Sequence, residues 1–314
     1  MYTLFFEFIV FYTIIKLVIH MKYIHVGINC EYKSINEALK NNASPLYIYL
    51  DDETYYEKVT INKDDVTIDG LNTAKVVHDD YAIKIHEDGR EYVTFRTYTM
   101  LVKSNNVTLK NLTIENSAGE GHIVGQAVAL HLYGNNINVI NCKLLAKQDT
   151  LFCGPLSFDL IDRYVDLLPD DERFYKDELH HYFTDCYIEG TVDFIFGGAS
   201  AIFKNCIIKS LPTQKDTYIV APNHHKDNTH GMIFDNCKFI KDSKTKTHSV
   251  FLARPWRDYG FVTFKNCYLD SHIKQEGFSI WEGTDRHLHA RFIEINSSGP
   301  GSNKQKRISW SKVI

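Results

Sequence analysis

Two aspartates stand inside stretches of sequence that are otherwise typical of buried strands. Asp149 lies in residues 148–152 (QDTLF), and Asp193 lies in residues 190–197 (GTVDFIFG). Because burial of an unpaired carboxylate is costly, a strand that carries one normally pairs it, hydrogen-bonds it or uses it in chemistry. Two acids held close together titrate as a coupled pair, in which one keeps its proton while the other is anionic. The pair predicts a nucleophile and a general acid, with turn capping as the alternative role.

Further polar side chains occur in similar apolar surroundings. Gln126 is followed by AVAL, and Gln148 directly precedes the first aspartate. Amide N–H groups directed at a developing oxyanion are what acyl transfer requires, although a lone glutamine is more often a satisfied member of a side-chain ladder. Residues 251–257 (FLARPWR) place Arg254 two positions before Trp256. A guanidinium there could orient a carboxylate, and an indole could stack on a sugar ring.

The elements that must position these residues repeat along the chain. A β-prone stretch followed by Asn or Asp, and then by Cys or Leu, recurs at intervals of 30, 44, 20, 31 and 30 residues. Such periods, in units without long amphipathic helical patterns, predict a solenoid of β-coils. We therefore expect an all-β, single-domain parallel β-helix, in which equivalent residues of neighbouring coils stack at about 4.8 Å. The residues at the Cys or Leu position are Leu112, Cys142, Cys186, Cys206, Cys237 and Cys267.

The cysteines are expected to be core residues of this stack. Leucine occupies the same position at residue 112, so the position selects a small or medium apolar group. The chain holds an odd number of cysteines, seven, and five of them share this one position. Free buried thiols are therefore favoured over disulfides, which is typical of a reducing compartment.

The N-terminal end of the stack has its own signals. Residues 59–61 (VTI) and 66–70 (VTIDG) are expected to form earlier coils. Residues 34–39 (SINEAL) predict a short helix that caps the open end, with Ser34 as its N-cap and Glu37 three residues later.

The 44-residue interval lies between the two aspartates. Because a coil needs fewer residues, the surplus within residues 154–181 must leave the stack beside the site. Its polar, turn-forming composition favours a solvated loop, and its position also makes it a candidate wall of a cleft. Three aromatic side chains of this excursion could pack over a sugar: Phe158, Tyr164 and Phe174.

Bulk composition limits the domain count and the partners. The 314 residues are 44% hydrophobic and 24% charged, and no Pro-rich or Ser/Gly-rich linker divides them. With a formal net charge of −4, the chain lacks the excess of basic residues that is typical of nucleic-acid-binding proteins. We expect residues 21–314 to form one domain that acts as a monomer, without an obligate protein partner.

Residues 1–20 are strongly apolar. No positive charge precedes the apolar run, Glu7 and Lys16 interrupt it, and no small-residue cleavage site follows. A start placed too early, with Met21 as the natural first residue, is therefore favoured over an uncleaved anchor or a signal peptide. The location stays open: cytoplasmic if translation starts at Met21, and membrane-anchored or secreted otherwise.

Metal-dependent and serine-dependent hydrolysis lack their sequence signals. The pairs at residues 180–181 and 224–225 are adjacent histidines, whose side chains diverge on a strand, and no His-Glu-x-x-His occurs. A Gly-x-Ser-x-Gly elbow is absent as well. The sequence therefore predicts no metal site and no serine nucleophile of that type.

The motifs together resemble those of the pectin methylesterases, also called pectinesterases. QAVAL, QDTLF, GTVDFIFG and LARPW occur in the family's order, followed by FIEIN, GPG and RISW near the C-terminus. The resemblance covers nearly the whole chain after Met21. It implies a right-handed parallel β-helix that hydrolyses the methyl ester at C6 of galacturonate residues in pectin or in methylated oligogalacturonates. It also implies that methanol is released without cofactor or metal.

The resemblance also implies roles for individual residues. Asp193 would be the nucleophile, and Asp149 would act first as general acid and then as general base. The remaining implied residues are Gln126 and Gln148 at the oxyanion, Arg254 on the nucleophile, and Trp256 with Phe194 in the substrate groove.

Departures from the family pattern are modest. Residues 53–57 (ETYYE) lack the glycine of the family's early motif, and Ala253 replaces the glycine before the Arg-Pro-Trp sequence. Neither change removes a chemical group. The excursion at residues 154–181 resembles that of bacterial members.

Two other classes of function stay open. A lyase or polygalacturonase on the same fold would cleave the polymer and leave new chain ends. A non-catalytic carbohydrate-binding β-helix would need the aromatic residues alone, so the aspartates, glutamines and arginine of this chain argue against it.

Overall fold

The computed structural model describes residues 21–168, 178–215 and 217–314. The apolar leader at residues 1–20 and the part of the excursion that contains Phe174 lie outside these ranges. The described chain winds through three parallel sheets, and each complete coil contributes one strand to each sheet in turn. This is the predicted parallel β-helix. Strands are numbered along the chain.

Sheet A has eleven strands and extends from one end of the stack to the other. Its strands are β1 (Lys22–Val26), β2 (Leu46–Leu50), β5 (Val66–Asp69), β8 (Thr108–Lys110), β11 (Ile137–Ile140), β14 (His180–Thr184), β17 (Ser200–Lys204), β20 (Met232–Asp235), β23 (Phe261–Lys265), β25 (Arg291–Ile295) and β26 (Lys312–Val313).

Sheet B has eight strands, and sheet C has seven. The strands of sheet B are β3 (Thr54–Tyr56), β6 (Lys75–His78), β9 (Thr113–Asn116), β12 (Lys143–Leu145), β15 (Tyr187–Gly190), β18 (Ile207–Ser210), β21 (Lys238–Lys241) and β24 (Tyr268–Leu269). The strands of sheet C are β4 (Val59–Ile61), β7 (Met100–Val102), β10 (Leu130–Leu132), β13 (Leu151–Cys153), β16 (Ile195–Gly197), β19 (Thr217–Pro222) and β22 (Val250–Ala253).

The turn between sheets A and B explains the repeated Asn-Cys phrase. Its Asn or Asp adopts a left-handed backbone, as at Asn141 (φ 51°) and Asn236 (φ 55°), a conformation that these residues tolerate better than others. Their side chains form a ladder between coils, in which the Asn141 amide donates to Asn111 Oδ1 at 2.9 Å. The turn is therefore built by residue types that the sequence repeats.

The cysteines lie inside the stack as predicted. Those of the repeated phrase are at most 2% exposed, and all seven are free. Each of these five buried thiols donates to a backbone carbonyl, as Cys186 does to Val139 at 3.2 Å. Next to them, Phe203 stacks on Phe183 and Phe234 with ring centroids 4.4 Å apart. Thiols and rings thus fill successive layers of one core.

Short helices occur outside the coils. Helix α1 (Ile35–Asn41) begins after Ser34, whose hydroxyl accepts from the Glu37 N–H at 3.3 Å, so the predicted cap is confirmed. Helix α2 (Gly121–Val124) precedes β10, and helix α3 (Phe158–Tyr164) lies in the excursion. The described ranges also contain three 3₁₀ turns: Thr94–Arg96, Arg286–Leu288 and Lys304–Lys306. Within the described ranges, no helix has the length and apolar character needed to cross a membrane.

A second apolar cluster covers the outer face of sheet C. It includes Phe95, Phe152 and Phe196 from the coils, together with Leu160 and Ile161 of α3. The described part of the excursion is therefore packed against the sheet, whereas its composition favours a solvated loop. Buried leucine and isoleucine on one face of a short helix give that packing its free energy.

Candidate active site

The two aspartates occupy equivalent positions on neighbouring coils. Leu151 of β13 pairs with Ile195 of β16, and each aspartate lies two residues before its strand. Both have a left-handed backbone, with φ of 63° at Asp149 and 48° at Asp193. Adjacent strands lie about 4.8 Å apart, so this register brings the two side chains together at one edge of sheet C.

Arg254 binds Asp193 in a bidentate ion pair. Its Nε donates to Oδ1 at 3.0 Å and its Nη2 donates to Oδ2 at 2.5 Å. The guanidinium lies between two aromatic rings, 3.8 Å from the centroid of Tyr218 and 4.2 Å from that of Trp281. Paired hydrogen bonds and stacked rings fix the orientation of the guanidinium, and through it that of the carboxylate.

The two aspartates differ in their electrostatic surroundings. Burial raises the pKa of Asp149 well above its ordinary value, and the neighbouring Asp193 charge raises it further. Burial also raises the pKa of Asp193, but hydrogen bonds and charge from Arg254 oppose that rise. The pair therefore keeps its proton on Asp149 and its negative charge on Asp193.

The two glutamines lie beside the dyad on consecutive coils. The Gln148 side chain hydrogen-bonds to Asp149, and the Gln148 carbonyl accepts from the Ala127 N–H, next to Gln126, at 3.1 Å. Gly121 of α2 packs directly on Gln148: a Cβ there would lie 2.8 Å from Oε1. A glycine is therefore required at residue 121 to leave room for this amide.

Phe194 does not lie in the groove, so its predicted substrate contact is wrong. Its side chain is 0% exposed and belongs to the core inside the stack. The left-handed bend at Asp193 interrupts the strand alternation, so Phe194 and Ile195 both face inward. The next aromatic residue, Phe196, lies in the outer cluster, with its ring centroid 5.7 Å from that of Trp256. Trp256 itself is half-buried against this cluster.

Two residues of the site were not predicted from the sequence. Tyr218 stands one coil beyond Asp193 in the same register, because Ile195 pairs with Val220. An alignment of the repeats could have revealed it. Trp281 follows the last strand of sheet C in an irregular segment, and no periodic signal marks it.

Within the described ranges, one group of side chains has the spacing of metal ligands: His78, Asp79 and Asp80. Asp80 already accepts hydrogen bonds from Lys58 at 2.6 Å and from Lys84 at 2.7 Å. The group belongs to the coils that precede the dyad. The site described above draws no ligand from it.

Fold and site together define a class of protein. A parallel β-helix that holds one protonated and one ionised aspartate, the latter bound by an arginine that lies against aromatic rings, has the arrangement of a carbohydrate esterase with a carboxylate nucleophile. The chain belongs to the pectinesterase family, whose model matches residues 25–155 and 166–314.

Individual relatives agree with this assignment. A pectinesterase of Petunia integrifolia is 30% identical over 299 residues, covering 89% of this chain and 71% of the relative. Pectin methylesterase from Aspergillus niger superposes with a TM-score of 0.75 at 27% identity, covering 93% of this chain and 89% of that structure. A pectin methylesterase solved in complex with a hexasaccharide gives a TM-score of 0.75 at 22% identity, covering 93% of both chains, which shows the shared fold. The chain spans 36 to 71% of the length of eight curated relatives that it matches.

Proposed function

We propose that this protein is a pectinesterase, which hydrolyses the C6 methyl esters of galacturonate residues in pectin or methylated oligogalacturonates and releases methanol. The observation that carries the proposal is the asymmetric dyad, in which Arg254 binds Asp193 while the buried Asp149 keeps its proton. Membership of the pectinesterase family and the hexasaccharide complex of a solved relative support a polysaccharide substrate.

The first half of the proposed reaction forms an acyl-enzyme. An Asp193 oxygen attacks the ester carbonyl, while amide N–H groups of Gln126 and Gln148 donate to the oxyanion. As the tetrahedral intermediate collapses, Asp149 gives its proton to the departing methoxide, and methanol leaves. A mixed anhydride then joins Asp193 to the galacturonate carbonyl carbon. Arg254 holds the attacking carboxylate in position.

The second half restores the enzyme. Asp149, now ionised, takes a proton from water, and the resulting hydroxide attacks the galacturonate carbonyl of the anhydride. The bond to Asp193 breaks, which frees its carboxylate and the galacturonic acid. Asp149 ends the cycle protonated. Only water is consumed besides the ester, so the cycle needs no redox partner.

Methanol release from methylated galacturonan, measured together with reducing ends and unsaturated ends, tests the proposal. We expect methanol in proportion to free carboxylates, with no new chain ends. New reducing ends would instead identify a polygalacturonase, and unsaturated ends a lyase. Binding without any product would identify a carbohydrate-binding protein.

Since the dyad and its partners lie within one chain, we also propose that a monomer of the domain at residues 21–314 suffices for activity.

Trp256→Ala is expected to lower kcat/KM by about tenfold, mainly through KM, because the half-buried indole provides a stacking surface for a sugar. Steady-state kinetics and thermal unfolding of the same preparation measure the effect. The matched control is Trp310→Ala, since Trp310 packs on Phe278 and Phe292 at the C-terminal end. The control should lower Tm and leave KM unchanged. A drop in Tm of Trp256→Ala with unaltered KM would show a purely structural role.

The excursion motivates a prediction about chain length. Its helix α3 packs on the outer cluster, against which Trp256 also packs, and Asp159 of α3 accepts from Arg257 Nε at 2.7 Å. We propose that α3 thereby closes one end of the substrate groove. We expect the enzyme to prefer short methylated oligogalacturonates to long pectin. Replacement of residues 157–178 by a tight turn should shift the ratio of kcat/KM on trimers to kcat/KM on polymer several-fold toward the polymer. An unchanged ratio would refute this role, and the ratio is insensitive to a general loss of stability.

A further inference from the structure

A hairpin at residues 82–93 leaves the stack between β6 and β7. The Val93 N–H donates to the Ala82 carbonyl at 2.9 Å. Farther out, Ile85 and Glu91 form an antiparallel bridge. Neither arm is a strand of the three sheets, so the ladders of the coils do not hold the hairpin in place. Its position on the stack depends on contacts at its base.

The base of this hairpin is hydrogen-bonded to the peptide of Gln126. The Ala82 N–H donates to the Gln126 carbonyl at 2.9 Å, and a Cβ on Gly125 would lie 3.1 Å from the Ala82 Cβ. On the opposite side, the Ala127 N–H donates to the Gln148 carbonyl at 3.1 Å. The Gln126 peptide therefore lies between the hairpin and the next coil. Because a side chain moves with its peptide, the position of the Gln126 amide depends on the hairpin.

One half-buried lysine binds both ends of the hairpin segment. Lys58 lies between β3 and β4, and its Nζ donates to Asp80 Oδ2 at 2.6 Å, just before the first arm. The same Nζ donates to the Arg96 carbonyl, just after the second arm. The rings of Tyr92 and Tyr98 face this ammonium, with centroids 4.8 and 4.5 Å from Nζ. Charged hydrogen bonds and cation–π contacts thus tie the hairpin segment to the stack.

Asp80 is the anionic centre of this contact. Its side chain is 2% exposed, and Lys84 of the first arm donates to Oδ1 at 2.7 Å. Burial opposes the ionisation of Asp80, but hydrogen bonds from Lys58 and Lys84 overcome it and lower the pKa of this carboxyl. The carboxylate is therefore ionised and bound by two ammonium groups, one from the stack and one from the hairpin.

We propose that Lys58 is a positioning residue, which acts through the hairpin to hold the Gln126 amide where the oxyanion forms. Lys58 precedes β4, which lies three strands away from β13 in sheet C, and its partners are Asp80 and Arg96 rather than the dyad. An oxyanion donor stabilises the transition state more than the bound ester, so its displacement lowers kcat more than it changes KM. This inference rests on the proposed function and extends the site to a residue outside the groove.

Lys58→Met keeps much of the length of the side chain and removes its charge. We expect kcat on methylated galacturonan to fall about tenfold, with KM changed by less than about twofold. Asp80→Asn should lower kcat in the same way, so the test does not depend on the folding of Lys58→Met. In a Gln126→Ala background, Lys58→Met should cost less than about twofold more, because both changes affect one donor. Fully additive losses would overturn the inference.

The matched control is Lys110→Met, on the outer face of sheet A. Lys110 pairs with Asp69, whose side chain is 7% exposed, at 3.0 Å, and its Nζ lies 5.2 Å from the ring centroid of Tyr47. This variant removes the same kinds of contact away from the hairpin. It should lower Tm to a similar extent and keep kcat. An unchanged kcat in Lys58→Met, or an equal loss of kcat in the control, would contradict a positioning role.

Amide hydrogen exchange tests the same contact without turnover. In Lys58→Met, the Ala82 amide and the other protected amides of residues 82–93 should exchange at least about tenfold faster than in the wild type. Lys110→Met should leave their exchange unaltered. This result would support the role of Lys58 in holding the hairpin even if the wild type hydrolysed no ester. Unaltered protection of Ala82 in Lys58→Met would refute it.

Discussion

Asp193→Asn is expected to abolish methanol release, with a loss in kcat of at least about 10⁴-fold, because an amide is not a nucleophile toward an ester. The amide nearly preserves the shape of the carboxylate and still accepts a hydrogen bond from Arg254. The buried guanidinium nevertheless loses its counter-charge, so the variant should also unfold at a lower temperature. Activity and Tm must therefore be measured on the same preparation.

A second buried ion pair provides the control for that loss of stability. Arg307 binds Glu294 through Nε at 2.7 Å and through Nη2 at 3.2 Å, and both side chains are at most 1% exposed. Glu294→Gln makes the same chemical change at the C-terminal end of the stack. It should lower Tm at least as much as Asp193→Asn and retain activity. A tenth of the wild-type rate in Asp193→Asn would show that another group is the nucleophile.

Asp149→Asn should lower kcat by about 10²- to 10⁴-fold, because methanol then leaves without a proton and water is attacked without a base. The same substitution should stabilise the fold at neutral and alkaline pH. Burial raises the pKa of Asp149, so the folded state binds this proton more tightly than the unfolded state does. The wild type therefore loses stability as pH rises from the unfolded pKa, about 3.9, toward the folded one. Asparagine does not titrate, so residue 149 of the variant adds no such pH dependence to the stability.

Thermal unfolding between pH 4 and pH 9 measures this second effect. The Tm of Asp149→Asn minus that of the wild type should be smallest at acidic pH, rise with pH, and reach about 2–4 °C or more. Asp242 provides a control, since the pKa of this half-buried aspartate is lowered, through hydrogen bonds from Lys244 and Lys209. Asp242→Asn should lose stability relative to the wild type as pH rises. A difference for Asp149→Asn that falls with pH would mean that Asp149 is ionised in the folded state.

The repeats in the sequence were sufficient to predict the architecture. The recurring Asn-Cys phrase fixes the turn between sheets A and B in successive coils, and stacking of these coils then constrains the strands between the turns. The same reasoning placed Asp149 and Asp193 side by side, because the surplus residues between them had to leave the coil. The repeat pattern thus predicted that Asp149 and Asp193, which are 44 positions apart in the sequence, are neighbours in the structure.

Residues outside the periodic pattern could not be predicted in this way. Phe194 follows a left-handed bend, where strand alternation fails, and its inward direction depends on backbone angles that composition does not specify. The packing of α3 on Phe152 and Phe196 is a tertiary contact without a local signal. Arg286 likewise lies in a short 3₁₀ turn outside the periodic strands, and it donates to the same Trp256 carbonyl as Arg257 because of how the last coils turn.

The proposed active site takes one member from each of four consecutive coils: Asp149 before β13, Asp193 before β16, Tyr218 in β19 and Arg254 after β22. The distances between these side chains are therefore set by the pitch and the register of the stack. A single residue inserted into any of these strands would turn one member away from the others, whereas a long insertion at a turn, such as the one that holds α3, leaves all four in line. Insertions at the turns can thus alter specificity while the proposed catalytic residues stay in register.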